Sequence, residues 1–181
     1  MRVETQSTPQ RGQLGKLLED FAVAMMTTAN GHGALVSRPM AALEMDSDGA
    51  LWFFTQAHSA KTDQLRRINL SFSDRSASTY VSLSGRGEIN LDRERMDRLW
   101  TPFARPWFPK GSSAADLALL RFVPQMAEYW DAPHNKMVRL FAIAASVVAG
   151  QAVALGTHER LDGLDPPAPA KAAKAASELG W

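Results

Sequence analysis

The clearest chemical signal in this sequence lies where an apolar strand leads into the start of a helix. Residues 51–55 are mostly aromatic and follow a glycine-containing turn, which predicts a strand. Ser59 is a favourable N-cap for a helix predicted over residues 60–68. Lys61 lies in the first turn of that helix, where a cation opposes the helix dipole unless an anion lies nearby. These residues indicate a site for a flat, phosphorylated ligand, although an ordinary strand–helix corner with a solvated lysine explains them equally well.

The residue types that most often carry catalysis are either missing or scattered. The chain contains no cysteine, which excludes a disulfide framework, a thiolate metal site and a catalytic thiol. The four histidines lie far apart, so a metal cluster is not predicted: His32, His58, His134 and His158. Residues 84–87 read Ser-Gly-Arg-Gly, which is neither a phosphate-binding loop nor a dinucleotide fingerprint. A ligand site without catalytic side chains suits a cofactor that performs its own chemistry.

Length and charge limit the class of protein. A chain of 181 residues is long enough for one domain with a substantial core. The formal net charge of +1 argues against nucleic-acid binding through a broad basic face. No apolar run is long enough to cross a membrane, and residues 1–6 lack the apolar region of a signal peptide. We therefore expect a cytoplasmic protein with no nucleic-acid or membrane partner.

Composition also sets the predicted domain boundaries. Residues 1–11 are polar and are predicted to form a flexible N-terminus. Residues 12–150 are predicted to form one domain. Residues 151–181 contain a proline-rich stretch and an Ala/Lys stretch, which predict a flexible tail of low complexity.

Helical and alternating patterns predict a mainly β domain with flanking helices. Helical spacing indicates an N-terminal helix whose apolar positions run from residue 14 to residue 25, a short helix over 92–100 and a C-terminal helix over 135–149. Strands are predicted over residues 25–29, 34–44, 51–55, 68–74, 79–90, 117–123 and 125–131. Pro39 cannot donate a ladder hydrogen bond, so it marks an edge or a bulge. Together these elements predict a small antiparallel barrel.

An aromatic loop precedes the last two predicted strands. Residues 101–113 are irregular but contain Trp107 and Phe108 side by side. Loops are normally polar and exposed, so these rings need cover. A partner subunit, a flat ligand or the protein's own core would provide it.

Six short motifs occur in order along the chain. They are Ser-Arg-Pro-Met at 37–40, Leu-Trp-Phe-Phe-Thr at 51–55, Ser-Ala-Lys at 59–61, Tyr-Val-Ser-Leu-Ser-Gly at 80–85, Trp-Phe-Pro-Lys-Gly at 107–111 and Glu-Tyr-Trp-Asp at 128–131. In this order they resemble the general stress protein branch of the pyridoxamine 5′-phosphate oxidase-like flavoproteins, over roughly residues 14–150. The resemblance implies an FMN-binding split β-barrel, with FAD as an alternative flavin. It also implies a homodimer with two flavin sites at its interface.

The same resemblance implies roles for individual residues. The FMN phosphate would be held by Arg38, Ser59 and Lys61. The isoalloxazine ring would be lined, largely through backbone groups, by Pro39, Met40, Phe54 and Thr55. Three aromatic residues would approach the flavin, some of them from the partner subunit: Tyr80, Trp107 and Trp130. For the two tryptophans, packing in the interface or the core is an equally good explanation.

Two departures separate the chain from the true oxidases that it resembles. The residue before the phosphate-binding lysine is Ala60 where those oxidases have arginine. Residues 131–135 stand where the oxidases have an Arg/His segment that grips the substrate phosphate. We therefore expect no pyridoxamine 5′-phosphate oxidase activity. The resemblance implies an FMN-binding protein of the stress-response type that acts as an oxidoreductase of unidentified substrate. A non-enzymatic flavin carrier or sensor, and a barrel that has lost its ligand, are the alternatives.

Overall fold

The computed structural model describes residues 1–57, 62–131, 157–162 and 164. The strands are β1 (Arg2–Val3), β2 (Val23–Ala29), β3 (Leu35–Ala41), β4 (Glu44–Met45), β5 (Leu51–Gln56), β6 (Ile68–Asp74), β7 (Thr79–Asn90), β8 (Leu117–Asp131) and β9 (Thr157–Asp162). The α-helices are α1 (Pro9–Leu18) and α2 (Arg93–Leu99), and short 3₁₀ helices span Thr62–Leu65 and Pro102–Ala104.

The strands form one curved sheet in which β3, at one edge, approaches β5, near the other edge. The order is β1–β4–β5–β8–β7–β6–β2–β3, and β9 pairs with the half of β8 that β5 leaves uncovered. Neighbouring strands are antiparallel except β1 and β4, which are parallel. β3 lies against β5, but no ladder joins them in the described residues. The sheet is therefore a barrel that is split between β3 and β5.

The long ladder between β7 and β8 bends the sheet. β8 runs through Pro124, which has no N–H to donate, and the register of the ladder shifts between Ser84 and Gly85. A shift of this kind is a β-bulge, which bends a strand and increases its twist. Gly85 permits a close approach of the two strands, since a Cβ atom there would meet the carbonyl oxygen of Val123 and the ring of Phe122.

The interior of the split barrel holds the main hydrophobic core. Along β7, Val81 and Leu83 are buried in this core. Tyr80, which precedes Val81, lies on the opposite face of the strand and is exposed. This alternation follows from the two-residue period of a strand. α1 adds Leu14 and Leu18 to the same core.

A second hydrophobic cluster lies on the other face of β5, beneath α2. We call it the α2 cluster, and its members are Trp52, Met96, Leu99, Ala114, Leu117 and Leu119. Trp52 belongs to it, whereas Leu51 and Phe53 belong to the main core, because successive side chains of a strand point to opposite faces. The side chain of Asp92 caps α2 by accepting the Arg95 N–H at 3.0 Å.

The prediction of a mainly β split barrel with an N-terminal helix is confirmed. β6 and β7 have the predicted bounds, and α2 is capped by Asp92 as predicted. Pro39 lies in β3, which is an edge strand. The predicted C-terminal helix over residues 135–149 lies outside the described residues.

Two helix predictions extend too far, because pairing in the sheet overrides the local pattern. The N-terminal helix begins at Pro9, before the predicted start, and ends at Leu18; the chain then enters β2 at Val23. The helix predicted over 60–68 corresponds to a single 3₁₀ turn at Thr62–Leu65 in the described residues. It cannot continue to Ile68, since that residue already pairs with Gly85 of β7.

Two strand predictions also differ from the structure. The strand predicted over 34–44 is divided into β3 and β4. The strands predicted over 117–123 and 125–131 are one continuous strand, β8. The bulge accounts for this difference, because it accommodates Pro124 without ending the ladder.

Both segments predicted to be flexible contribute strands to the sheet. β1 pairs with β4, and β9 pairs with β8. Leu161 and Leu164 are buried, and the Leu164 carbonyl accepts a hydrogen bond from Arg11 Nη2 at 3.3 Å. At these strands the structure differs from the flexibility predicted for residues 1–11 and 151–181, because pairing with a distant strand leaves no mark on local composition.

Replacing Gly85 with alanine should destabilise the protein, because the added methyl group would collide with the backbone of Val123. Overpacking of this kind costs about 1–3 kcal/mol. Gly31→Ala is the matched control, since a Cβ atom at Gly31 meets nothing within 4 Å. Urea unfolding followed by circular dichroism measures both variants. Equal stability of the two would contradict the close approach of β7 and β8.

Candidate functional site

A pocket of about 670 Å³ lies in the split between β3 and β5. This volume is within the range of small-molecule sites. The two strands, the 3₁₀ turn at Thr62–Leu65 and the loop that follows α2 surround it. Most of its lining is apolar, and its polar side chains come from Thr28, Arg38, Thr55, Gln56, Gln64 and Thr101.

Arg38 is the only charged side chain among the described residues that line the pocket. It lies opposite Met26 in the ladder between β2 and β3, and Met26 faces the core, so the arginine also points inward. Its Nη2 donates to the hydroxyl of Thr28 at 2.6 Å. Its Nε is buried and has no hydrogen-bond partner in the described part of the chain. A buried donor without an acceptor is costly, and an anionic ligand would supply one.

Aromatic rings form the wall on the β5 side of the pocket. The ring centroid of Phe54 lies 5.5 Å from that of Trp100 and 6.0 Å from that of Phe108, distances at which aromatic pairs attract each other. Phe103 and Trp107 also line the pocket, but they are 87% and 72% exposed. A ligand or a second protein surface would bury these two rings favourably.

Six of the ten predicted site residues line the pocket together: Arg38, Pro39, Met40, Phe54, Thr55 and Trp107. Ser59 and Lys61 lie outside the described residues. Gln56 and Gln64, which precede and follow them along the chain, both line the pocket.

Tyr80 and Trp130 lie away from the pocket of their own chain. They face each other across β7 and β8, whereas β7 reaches the pocket at Ile89, roughly 30 Å further along the strand at about 3.3 Å per residue. Trp130 also stacks on His158 of β9, with ring centroids 4.7 Å apart and ring planes at 4°. One chain therefore does not bring Tyr80 and Trp130 to the same ligand as Arg38.

The sequence does not predict several residues of the pocket. Met26 and Thr28 belong to the buried face of β2, so the alternation of that strand could have indicated them. The sequence marks Phe103 only as one of several aromatic residues in the loop over residues 101–113. The local sequence does not indicate that Leu43 lines the pocket. Its position depends on a contact with a distant strand, since its N–H donates to the Trp52 carbonyl in β5.

The comparison with known proteins establishes the family. The model of a family described as pyridoxamine 5′-phosphate oxidase like matches residues 10–154. The chain belongs to this family. In this pyridoxamine 5′-phosphate oxidase-like protein the matched range includes every described residue that lines the pocket, from Ala22 to Leu120.

Three relatives illustrate the similarity. Protein bli-3 of Neurospora crassa is 29% identical over 151 residues, which cover 76% of this chain and 72% of that protein. A candidate general stress protein 26 of Jannaschia sp. CCS1 is 26% identical with a TM-score of 0.64, covering 82% of this chain and 94% of that chain. The general stress FMN/FAD binding protein of Xanthomonas citri is 29% identical with a TM-score of 0.52, covering 67% of this chain and 87% of that chain.

Neither a metal site nor a membrane-spanning helix is found in the described part of the chain. No group of three or more His, Asp or Glu side chains is placed there to hold a metal ion. None of the helices there is long and apolar enough to cross a bilayer.

Proposed function

We propose that this protein binds FMN in the pocket between β3 and β5, with FAD as the alternative flavin. The observation that carries the proposal is Arg38, whose buried Nε–H lacks an acceptor in a pocket otherwise free of charge among the described lining residues. FMN combines one anionic phosphate with a flat, largely apolar ring system. A single cation and an apolar, aromatic wall match these two parts.

The comparisons support the choice of ligand. The Xanthomonas citri relative is named an FMN/FAD binding protein, and it is 29% identical to this chain. Bound flavin absorbs visible light, so an absorbance spectrum of the purified protein tests the proposal directly. A colourless protein that also takes up no added FMN would refute it.

Each part of the flavin has a counterpart in this chain. Arg38 donates to the phosphate, and Ser59 and Lys61 complete the phosphate site. Met40 and Phe54 offer apolar surface to the ring. β3 is an edge strand in the described sheet, so the backbone of the strand can hydrogen-bond the polar edge of the ring.

We propose an oxidoreductase of unidentified substrate. A bound flavin supplies hydride and electron transfer. The chain holds the phosphate, fixes the plane of the ring and keeps water from it with Phe103 and Trp107. A flavin carrier or sensor is the second candidate, because the described pocket lining offers no Asp, Glu, His or Lys as a general acid or base. Steady-state oxidation of reduced nicotinamide with a dye acceptor distinguishes the two.

Oxidation of pyridoxamine 5′-phosphate is not part of this proposal. Position 60 is alanine, and residues 131–135 read Asp-Ala-Pro-His-Asn without an arginine, so the arginines that would hold the phosphate of that substrate are missing. Turnover comparable with that of a true oxidase would contradict this view.

We also propose a homodimer in which each chain contributes aromatic rings to the flavin of its partner. Exposed apolar side chains on β2 and β3 support an interface there: Val23, Met25, Leu35 and Val36. Tyr80 and Trp130 lie far from the pocket of their own chain, so only the copies in a partner could reach the flavin.

Arg38→Ala should weaken the binding of FMN much more than that of riboflavin, which has no phosphate. A charge-assisted contact contributes about 1.5–3 kcal/mol, which corresponds to roughly a tenfold to more than a hundredfold change in Kd. Lys61→Ala should act in the same direction. Quenching of flavin fluorescence on binding gives the dissociation constant for each ligand.

Arg75→Ala is the control for the loss of a positive charge, because Arg75 is exposed in the turn between β6 and β7. It should leave both dissociation constants unchanged. If Arg38→Ala weakened FMN and riboflavin equally, the arginine would support the pocket rather than the phosphate.

The shared site can be tested by mixing two defective variants. Arg38→Ala and Trp130→Ala should each bind FMN poorly as homodimers. In a mixed dimer one site carries both changes and the other carries neither, so random exchange of subunits should restore about a quarter of all sites. Titration of FMN before and after unfolding and refolding the mixture measures this recovery. No recovery, although mixed dimers form, would show that Arg38 and Trp130 of one chain serve the same site.

A further inference from the structure

One wall of the pocket rests on the α2 cluster. Leu43, Phe54 and Phe108 line the pocket and also pack against the cluster. α2 contributes Met96 and Leu99 to that cluster. The position of this wall therefore depends on where α2 lies on the sheet.

A buried carboxylate fixes α2 to the sheet. The side chain of Glu44 in β4 is 0% exposed. Its Oε1 lies 3.2 Å from Arg98 Nη2 and 3.5 Å from Arg95 Nη1, and both arginines belong to α2. Its Oε2 lies 3.5 Å from Arg2 Nη1. Burial of a carboxylate is costly unless such partners are held close, so this group resists any movement of α2 away from β4.

The same helix also contacts the side chain of Trp52 through Arg95. The guanidinium carbon of Arg95 lies 4.0 Å from the centre of the Trp52 ring, in the geometry of a cation–π contact. The Nε1 of Trp52 donates to Asp46 Oδ2 at 2.7 Å, and Arg95 Nη1 lies 3.7 Å from that oxygen. Arg95 thus covers the tryptophan ring and lies within ion-pair distance of both carboxylates, those of Glu44 and Asp46.

The C-terminal end of α2 connects these contacts to the pocket. Phe54 lies two residues after Trp52, on the same face of β5, and its ring contacts Trp100, the C-terminal cap of α2. The lining loop begins at the next residue, Thr101. In that loop the Phe108 N–H donates to the Ala104 carbonyl at 3.0 Å, which gives the loop a defined shape.

We propose that Glu44, through Arg95 and Arg98, is a positioning residue for the flavin pocket. None of the three lines the pocket in the described structure, so their effect on a ligand passes through α2, Phe54 and the loop. The part of this inference that concerns flavin rests on the function proposed above. The part that concerns the loop does not require a ligand.

The test is Glu44→Gln, which keeps the size of the side chain and removes its charge. In the ligand-free protein, hydrogen exchange measured by mass spectrometry should become several-fold faster for the amides of residues 101–108. The Kd for FMN should rise roughly threefold to thirtyfold, the range found for residues that couple to a site without touching its ligand. The visible circular dichroism of bound FMN should change, because the ring environment moves with Phe54 and Phe108.

Tyr129→Phe is the control for a general loss of stability. The Tyr129 hydroxyl donates to Glu159 Oε2 at 2.6 Å and accepts from Gln13 Nε2 at 2.8 Å, between β8, β9 and α1. This variant should lower the urea midpoint but leave loop exchange and bound-flavin dichroism unchanged. If Glu44→Gln does not fold, Arg98→Gln is the milder replacement, since that arginine is partly exposed.

The outcomes separate the two proposals. If wild-type protein binds no FMN, the proposed function fails, and loop exchange alone decides the role of Glu44. Unchanged exchange of residues 101–108 in a folded Glu44→Gln or Arg98→Gln protein would overturn the inference. So would equal effects of Glu44→Gln and Tyr129→Phe on the loop, because the carboxylate would then contribute only to global stability.

Discussion

The close approach of β7 and β8 at Gly85 determines the shape of the rest of the structure. Because Gly85 has no side chain, the Val123 carbonyl and the Phe122 ring can lie near its backbone, and the bulge beside Pro124 bends the ladder. The bend brings β3, at one edge of the sheet, to β5 near the other edge. A flatter sheet would keep these strands apart, and the pocket between them would not form.

The chemistry of the pocket follows from its place at an unclosed seam. Met26 and Leu120 extend the apolar interior of the barrel to the floor of the pocket. The unpaired strand edges also present backbone N–H and C=O groups to the pocket. In a closed barrel these groups would be hydrogen-bonded to each other across the seam. Arg38 is only partly buried at this seam, whereas Met26, which lies opposite it in the ladder between β2 and β3, is buried. Residues of the barrel interior and residues packed against the α2 cluster line the same pocket, so a ligand there contacts both layers.

Local patterns were sufficient for elements with strong periodicity but not for contacts between distant segments. β7 could be predicted because its alternate residues from Val81 to Ile89 are apolar or glycine, and α2 because Asp92 is a strong N-cap. β9 has a mainly polar sequence, and its pairing with β8 is not encoded locally. For the site, Arg38, which the motif over residues 37–40 singled out, lines the pocket. Its buried, unpartnered Nε could not be predicted, since that depends on how β2 and β5 enclose the side chain.

β9 is synthesised after β8, the strand with which it pairs, and this order has a consequence for the nascent sheet. The part of β8 from Met126 to Asp131 has neighbours on both sides only when β9 is in place, and Tyr129 then joins β8 to Gln13 of α1 and Glu159 of β9. A ribosome produces β8 first and β9 later. During that interval the nascent chain presents an open strand edge, the surface at which unfinished sheets pair with other chains and chaperones intervene. The barrel can be completed only after residue 162 has left the ribosome.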